Sequence, residues 1–230
     1  MAASSTSRGM RENKSGRDMQ RSPKEAIFEL FEESLRSQCC ALLVAVLLTG
    51  CAFGRDRISL SYVPQTTAAR ISKADAIAVN VYVTDHRPRK DRVSSKKNYY
   101  RMETARIIAT NDVADLLKNA IETELTNRGF SLAGNSVNVL VDLQNFYCDF
   151  SFGLTFFEAI AEVTMKVQVE ASNKRLIFSK TVEGSCIDAK AGSSSGKYAK
   201  AALDSALRDG MSILFNDPTF IDSLFKASQQ

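Results

Sequence analysis

The chain has 230 residues, 44% of them apolar and 24% charged, which is ordinary globular composition with room for one sizeable domain plus extensions. Fibrous, collagen-like and wholly disordered architectures are excluded. Thirty basic residues face 26 acidic ones for a net charge of +4, and no apolar run approaches the ~18 residues that would cross a bilayer as a helix, so a polytopic membrane protein is excluded too.

The first 37 residues are basic and irregular, with Arg8, Arg11, Lys14, Arg17, Arg21 and Lys24 against Glu12 and Asp18 in the first 24 positions. Two readings stand. Translation starts nearer the apolar block, at Met10, Met19 or a later codon that leaves Arg36 as the positive flank. Otherwise the stretch is a real extension in which Ser22 and Pro23 open a helix carrying Phe28, Leu30, Phe31 and Leu35. In both cases it is a leader and not part of the fold.

An uninterrupted apolar block follows from Ala41 to Leu48. It is too short to span a membrane and fits the core of a secretory signal, which needs roughly 7 to 15 apolar residues with small residues at the cleavage point. Leu48, Thr49, Gly50 and Cys51 then look like a bacterial lipobox: an aliphatic residue, a tolerant position, a small residue and the cysteine. The chemistry explains the residue types. A diacylglyceryl group is transferred to the thiol at the membrane surface, and a peptidase cleaves behind it through a site that admits only small side chains. The alternative is a short buried element of a cytosolic domain with Cys51 as a small core residue. On the lipobox reading residues 1–50 are a signal with a long leader, 51–72 a lipidated tether and 73–230 one domain.

Period-two alternation of Ile77, Val79, Val81 and Val83 predicts a first strand over 76–83. Residues 85–101 hold seven basic side chains, Arg87, Arg89, Lys90, Arg92, Lys96, Lys97 and Arg101, against Asp85 and Asp91, together with a proline and paired serines. They read as a long exposed loop. That loop is either a contact for anionic lipid, lipopolysaccharide or acidic wall polymers, or simply solvated. A weaker strand is expected over 102–109.

Val113, Leu116, Leu117, Ala120, Ile121 and Leu125 recur at helical spacing and predict a helix over 111–128, capped by Thr110 or Asn111 and stopped by Gly129. Val137, Val139, Val141 and Leu143 predict a strand over 137–147, reached from the first strand by a right-handed crossover. A strand over 159–171 and another over 175–184 should form an antiparallel hairpin turning at Ser172–Lys174. The linker from Asp149 to Glu158, ahead of that hairpin, carries Phe150, Phe152, Phe156 and Phe157, either core closure or an exposed docking patch. A helix over 195–215 and a short terminal helix over 217–228, begun by Asp217 and Pro218, complete the chain. The fold class is therefore α+β: a mixed sheet with an antiparallel meander, two main helices packed mainly on one face, and a short C-terminal helix.

In that sheet Cys148 and Cys186 lie on strands flanking a common neighbour, about 9.6 Å apart at two strand spacings. That is beyond the ~7 Å a disulfide tolerates between alpha carbons, so two free, buried thiols are expected.

Catalytic constellations are lacking in the sequence. GSSSGK at 192–197 has the wrong glycine spacing for a phosphate loop and Tyr198 where a Ser or Thr is needed. His86 is the sole histidine, in the basic loop, and is read as a surface residue. Glu122 and Glu124, like Glu158 and Glu162, read as solvated carboxylates. No catalytic residue, metal site, cofactor, small-molecule ligand or nucleic acid is expected.

The ordered set VNVYVTDHR at 79–87, LTNRGF at 125–130, VNVLVDL at 137–143, the alternating hairpin and KYAKAALDSAL at 197–207, behind a lipobox, resembles the YajG-type family of bacterial lipoproteins. The resemblance implies a membrane-anchored, periplasm-facing lipoprotein and carries no catalytic residues to transfer. Ala52 is not the aspartate associated with inner-membrane retention, so the outer membrane is the expected address. The expectation is a lipid-anchored envelope protein, not an enzyme, whose partners are the membrane and an envelope protein. The alternative is an accessory subunit of a lipid-transport or cell-wall-synthesis complex.

Overall fold

The computed structural model describes residues 54–64, 69–132, 134, 137–152 and 157–230. Its seven strands form one mixed sheet: β1 (Asp56–Ile58), β2 (Val79–Asp85), β3 (Ser94–Lys97), β4 (Glu103–Ala109), β5 (Val137–Phe152), β6 (Phe157–Ala171) and β7 (Leu176–Ala191). They run in the order β1-β4-β3-β5-β6-β7, and β2 pairs with the first half of β5 on the side where β3 meets its second half. β1–β4, β2–β5 and β3–β5 are parallel, while β3–β4, β5–β6 and β6–β7 are antiparallel. Three helices, α1 (Val113–Asn127), α2 (Gly196–Phe215) and α3 (Pro218–Ser228), cover one face. This is the α+β class read from the sequence.

The two longest strands show how side-chain parity builds the core. In β5 the odd residues Val137, Val139, Val141 and Leu143 are buried, and after Asn145 the even ones Phe146, Cys148 and Phe150 are. The switch is a bulge: Leu143 pairs with Met165 and Asn145 with Thr164, leaving Gln144 unmatched. One extra residue resets the alternation to the same face. The strand therefore continues to Phe152, where broken alternation predicted an end near 147. β7 likewise runs past Gly184 to Ala191. Gly184 is no terminator. It is the point where α2 lies directly on the sheet, because a Cβ there would fall 2.3 Å from Ala206 O and 2.4 Å from Gly210 N.

Helix ends follow local chemistry with one correction. The N-cap of α1 is Asp112, whose carboxylate accepts the N–H groups of Ala114 and Asp115 at 2.7 and 3.1 Å. Thr110 and Asn111 are engaged elsewhere: Thr110 N–H donates to Ile58 O, and the Asn111 amide clasps the Leu60 backbone at both N–H and C=O. Gly129 closes the helix at φ 99°, as expected. Asp217 caps α3, and Lys174 turns the β6–β7 hairpin at φ 65°.

Those Thr110 and Asn111 bonds correct a second expectation. Residues 56–62 are not a free tether but part of the domain. β1 pairs with β4, Ile58 and Leu60 are buried, and Ser61 bonds Asp204 at 3.0 Å. Tyr62 O–H donates to Glu124 on α1. Glu124, expected at the surface, is 1% exposed and is also bonded by Arg128, whose guanidinium lies over the Phe215 ring at 4.6 Å. Burial, followed by the Glu124 carboxylate, pushes the Tyr62 phenol well above its ordinary range. The segment reads as a tether because its few apolar residues have no period. Ile58 and Leu60 enter the core, and Tyr62 reaches Glu124.

Both described cysteines are free. Cys148 and Cys186 pair with the same residue, Ala161, from opposite sides, which is the two-spacing separation expected. Cys148 is buried, and burial pushes its thiol up to about 12, whereas Cys186 is only half-buried because β7 is the edge strand.

Candidate functional site

The seven basic residues of the 85–101 segment do not form a continuous cationic loop. Residues 94–97 are β3, inserted between β4 and β5, and Val93, Ser94 and Ser95 are buried. Small hydroxyl side chains make the insertion possible: Ser94 Oγ donates to Cys148 O at 2.7 Å, and Ser95 Oγ lies 3.1 Å from Tyr147 Oη. Four of the cations are then matched to carboxylates. Arg87 is 6% exposed and grips Asp85 through Nε at 3.0 Å and Nη2 at 2.8 Å. Arg92 pairs with Glu103 and Asp91, Lys96 with Asp56 at 2.7 Å, and Lys97 with Asp149. Arg89, Lys90 and Arg101 remain exposed, Arg89 resting over the Tyr147 ring at 5.6 Å. The surface that sequence charge pointed to is therefore reduced to three exposed cations, since a paired guanidinium or ammonium projects little net potential.

Arg87, Lys90 and Arg92 do come together, with Asp85 and the Ile108–Val113 turn that leads into α1, around an open cavity of about 380 Å³. Arg87 Nη1 is buried there without a hydrogen-bond partner among the described residues. Burial alone would raise the Asp85 carboxyl, but the Arg87 side chain and N–H bring it below the usual carboxylate range. The cleft offers cations set beside carboxylates. Its chemistry is that of a structural ion-pair cluster.

His86 is 65% exposed, with Nδ1 2.5 Å from Asp142 Oδ1, in keeping with a surface residue. The serine-rich segment before α2 clamps the sheet: Ser194 Oγ accepts Lys97 N–H at 3.0 Å and donates to Lys97 O at 2.8 Å, and Gly196 N–H donates to Asp56 at 2.8 Å. Burial opposes ionisation of Asp56, and the Lys96 and Gly196 bonds outweigh it to lower its pKa.

The phenylalanine cluster divides. Phe150 is 1% exposed and belongs to the core. Phe152 and Phe157 are half-buried at the end of the β5–β6 pair and pack on Tyr99 of the β3–β4 connection, with ring centroids 4.3 and 6.1 Å away. Phe156 lies outside the described residues, as do Leu48, Thr49, Gly50 and Cys51. Among the described residues no helix is long and apolar enough to cross a membrane, and no cluster of three or more His, Cys, Asp or Glu side chains could hold a metal ion.

The fold is a small α+β domain whose basic segment is largely neutralised by ion pairs. A family model described as an uncharacterized lipoprotein matches residues 64–224, and the chain belongs to that family, the YajG-type lipoproteins. The matched span begins after Cys51, so the Leu48–Cys51 motif stands as a separate sequence observation. No curated protein matches. Among solved structures, protein XCC0632 from Xanthomonas campestris is 14% identical over 77% of this chain and 100% of its own, with a TM-score of 0.53, which supports the fold. A minor lipoprotein from Acinetobacter baumannii is 11% identical over 65% of this chain and 94% of its own, at a TM-score of 0.37, too distant to bear on the argument.

Proposed function

We propose that the protein is processed behind Gly50 and carries acyl chains on Cys51, which fix the α+β domain to the periplasmic face of the outer membrane. There it acts as an interaction or structural component rather than as an enzyme. The supporting observation is the Leu48–Cys51 motif standing five residues ahead of β1 in a chain of a lipoprotein family. At about 0.8 kcal/mol per buried methylene, two or more long chains hold a protein on the membrane essentially permanently. Ala52 in place of an aspartate supports the outer membrane as the address.

Intact mass of the membrane-extracted protein is the test. The expected species lacks residues 1–50 and carries added lipid, it cofractionates with outer-membrane markers on a density gradient, and Cys51→Ser leaves an unprocessed or soluble chain. A full-length, unmodified chain in the soluble fraction overturns the proposal.

A further inference from the structure

The β3–β4 connection presents an aromatic rim. Tyr99, Tyr100 and Met102 are 70%, 84% and 58% exposed, side by side, with Phe152 and Phe157 behind Tyr99. Arg101 sits exposed among them at φ 62°. The rim is a built feature. Asn98 Oδ1 accepts the N–H groups of Tyr100 and Met102, both at 3.0 Å, and the Asn98 backbone bonds Arg101 N–H and Met102 O. Large apolar side chains gathered on a fixed turn mark a contact surface.

What the rim faces follows from strand register and chain length. A single row crosses the sheet: Asp56 is level with Ile107, Ile107 with Ser94, Ser94 with Cys148, Cys148 with Ala161 and Ala161 with Cys186. Along β5, Cys148 stands four residues from the Phe152 end and eleven from the Val137 end. At ~3.3 Å per residue the row lies roughly 13 Å from the rim and roughly 36 Å from the opposite end of the sheet. Cys51 precedes Asp56 by five residues, which span at most about 18 Å. Arg55 already shares a shallow cavity with Glu103 and Thr104, the residues just after the rim. That length is enough to carry the Cys51 sulfur to the level of the rim and too short to carry it to the far turn at Ser172–Lys174.

We infer that the rim is the membrane-contact surface of the domain: with acyl chains on Cys51 in the bilayer, Tyr99, Tyr100 and Met102 seat among the lipid headgroups and Arg101 meets their phosphates. The inference rests on the proposed lipidation of Cys51. Its physics is that of interfacial anchoring. Tyrosine places an apolar ring toward the acyl chains and a hydroxyl toward water, and a cation beside it is attracted to anionic lipid. The domain then stands with β5 and β6 rising away from the membrane, their Val137 and Ala171 ends outermost.

The chain contains no tryptophan, so one introduced residue is a sole reporter. Tyr100→Trp places it on the rim. Tyr82→Trp, at a 55% exposed position level with Leu140 on the far half of β5, is the control. Each full-length variant is expressed, and its processed form is reconstituted into vesicles of phosphatidylethanolamine and phosphatidylglycerol, with or without bromine on the acyl chains. The Tyr100→Trp emission should shift to the blue and lose intensity in brominated vesicles, while that of Tyr82→Trp does neither. If the protein carries lipid by mass and floats with the vesicles, yet its rim tryptophan is neither shifted nor quenched, the rim proposal falls and the anchor stands. Equal quenching at both positions also overturns it. A chain without lipid that does not float removes both.

Discussion

Two facing glycines should respond to alanine with opposite signs. A Cβ on Gly184 of β7 would meet Ala206 O at 2.3 Å, Gly210 N at 2.4 Å and Gly210 Cα at 2.7 Å, all backbone atoms of α2 that cannot swing aside. Ordinary contact begins at 3.4 Å, so relief requires α2 to withdraw by 3.4 less 2.3, or 1.1 Å. That helix buries Ala199, Ala202, Leu203, Ala206, Leu207, Met211 and Leu214 against the sheet. A radial gap of about 0.5–1 Å already forfeits a quarter to a half of each dispersion contact, and overpacking alone costs about 1–3 kcal/mol. Gly184→Ala should therefore lose about 3 kcal/mol. Seen from the helix the geometry differs: a Cβ on Gly210 would lie 3.6 Å from Gly184 Cα and 3.6 Å from Met165 Cε, in ordinary van der Waals contact with both. Alanine is favoured over glycine inside a helix by about 0.8–1.0 kcal/mol, so Gly210→Ala should stabilise. Urea unfolding followed by circular dichroism, at unchanged slope, measures both. A Gly184→Ala midpoint equal to that of the parent, or the two variants moving in the same direction, would refute the close-approach argument.

Tyr62→Phe removes one of the donors to the buried Glu124 carboxylate and should cost about 1–3 kcal/mol. Amide exchange across Ile58–Tyr62 should quicken with it, and unchanged protection there would show that the Tyr62 bond does not hold the N-terminal segment. Asp217 supplies a pH signature. Its bonds from the Lys180 ammonium and Thr219 lower it from the ordinary 3.8 to about 2. A depressed carboxylate stabilises the folded state fully above its unfolded value and progressively less as pH falls through its folded one, so this contribution should fade between about pH 4 and pH 2. Asp217→Asn keeps a capping side chain and removes the charge. The difference in melting temperature between parent and variant should shrink across that window, and a constant difference would exclude the ion pair as its source.

The parts of this protein legible in its sequence are those set by neighbours a few residues away. Alternation in 79–83, 137–143 and 159–171 marks strands because each side chain's face depends only on its parity. The three-and-four spacing of Val113 to Leu125 marks α1 for the analogous helical reason. Gly129, Asp217 and Pro218 mark helix ends through their own backbone preferences. Even the separation of Cys148 from Cys186 follows once a hairpin and its neighbouring strand are recognised.

Tertiary structure decided whatever depends on a partner distant in the chain. Gln144 breaks the alternation of β5, and only pairing with Met165 and Thr164 turns that break into a bulge and not an end. Asp112 caps α1 because Thr110 and Asn111 are held by Ile58 and Leu60, 52 and 51 residues away. Glu124 is buried because Tyr62 and Arg128 meet it, although its local sequence is that of a solvated helix face. The basic run at 87–101 looked like one surface, but Asp56, Asp85, Glu103 and Asp149 arrive from four other strands or strand ends to neutralise most of it. A linear pattern encodes which way a residue faces; the charge or cavity awaiting it is set by chain that returns from far away.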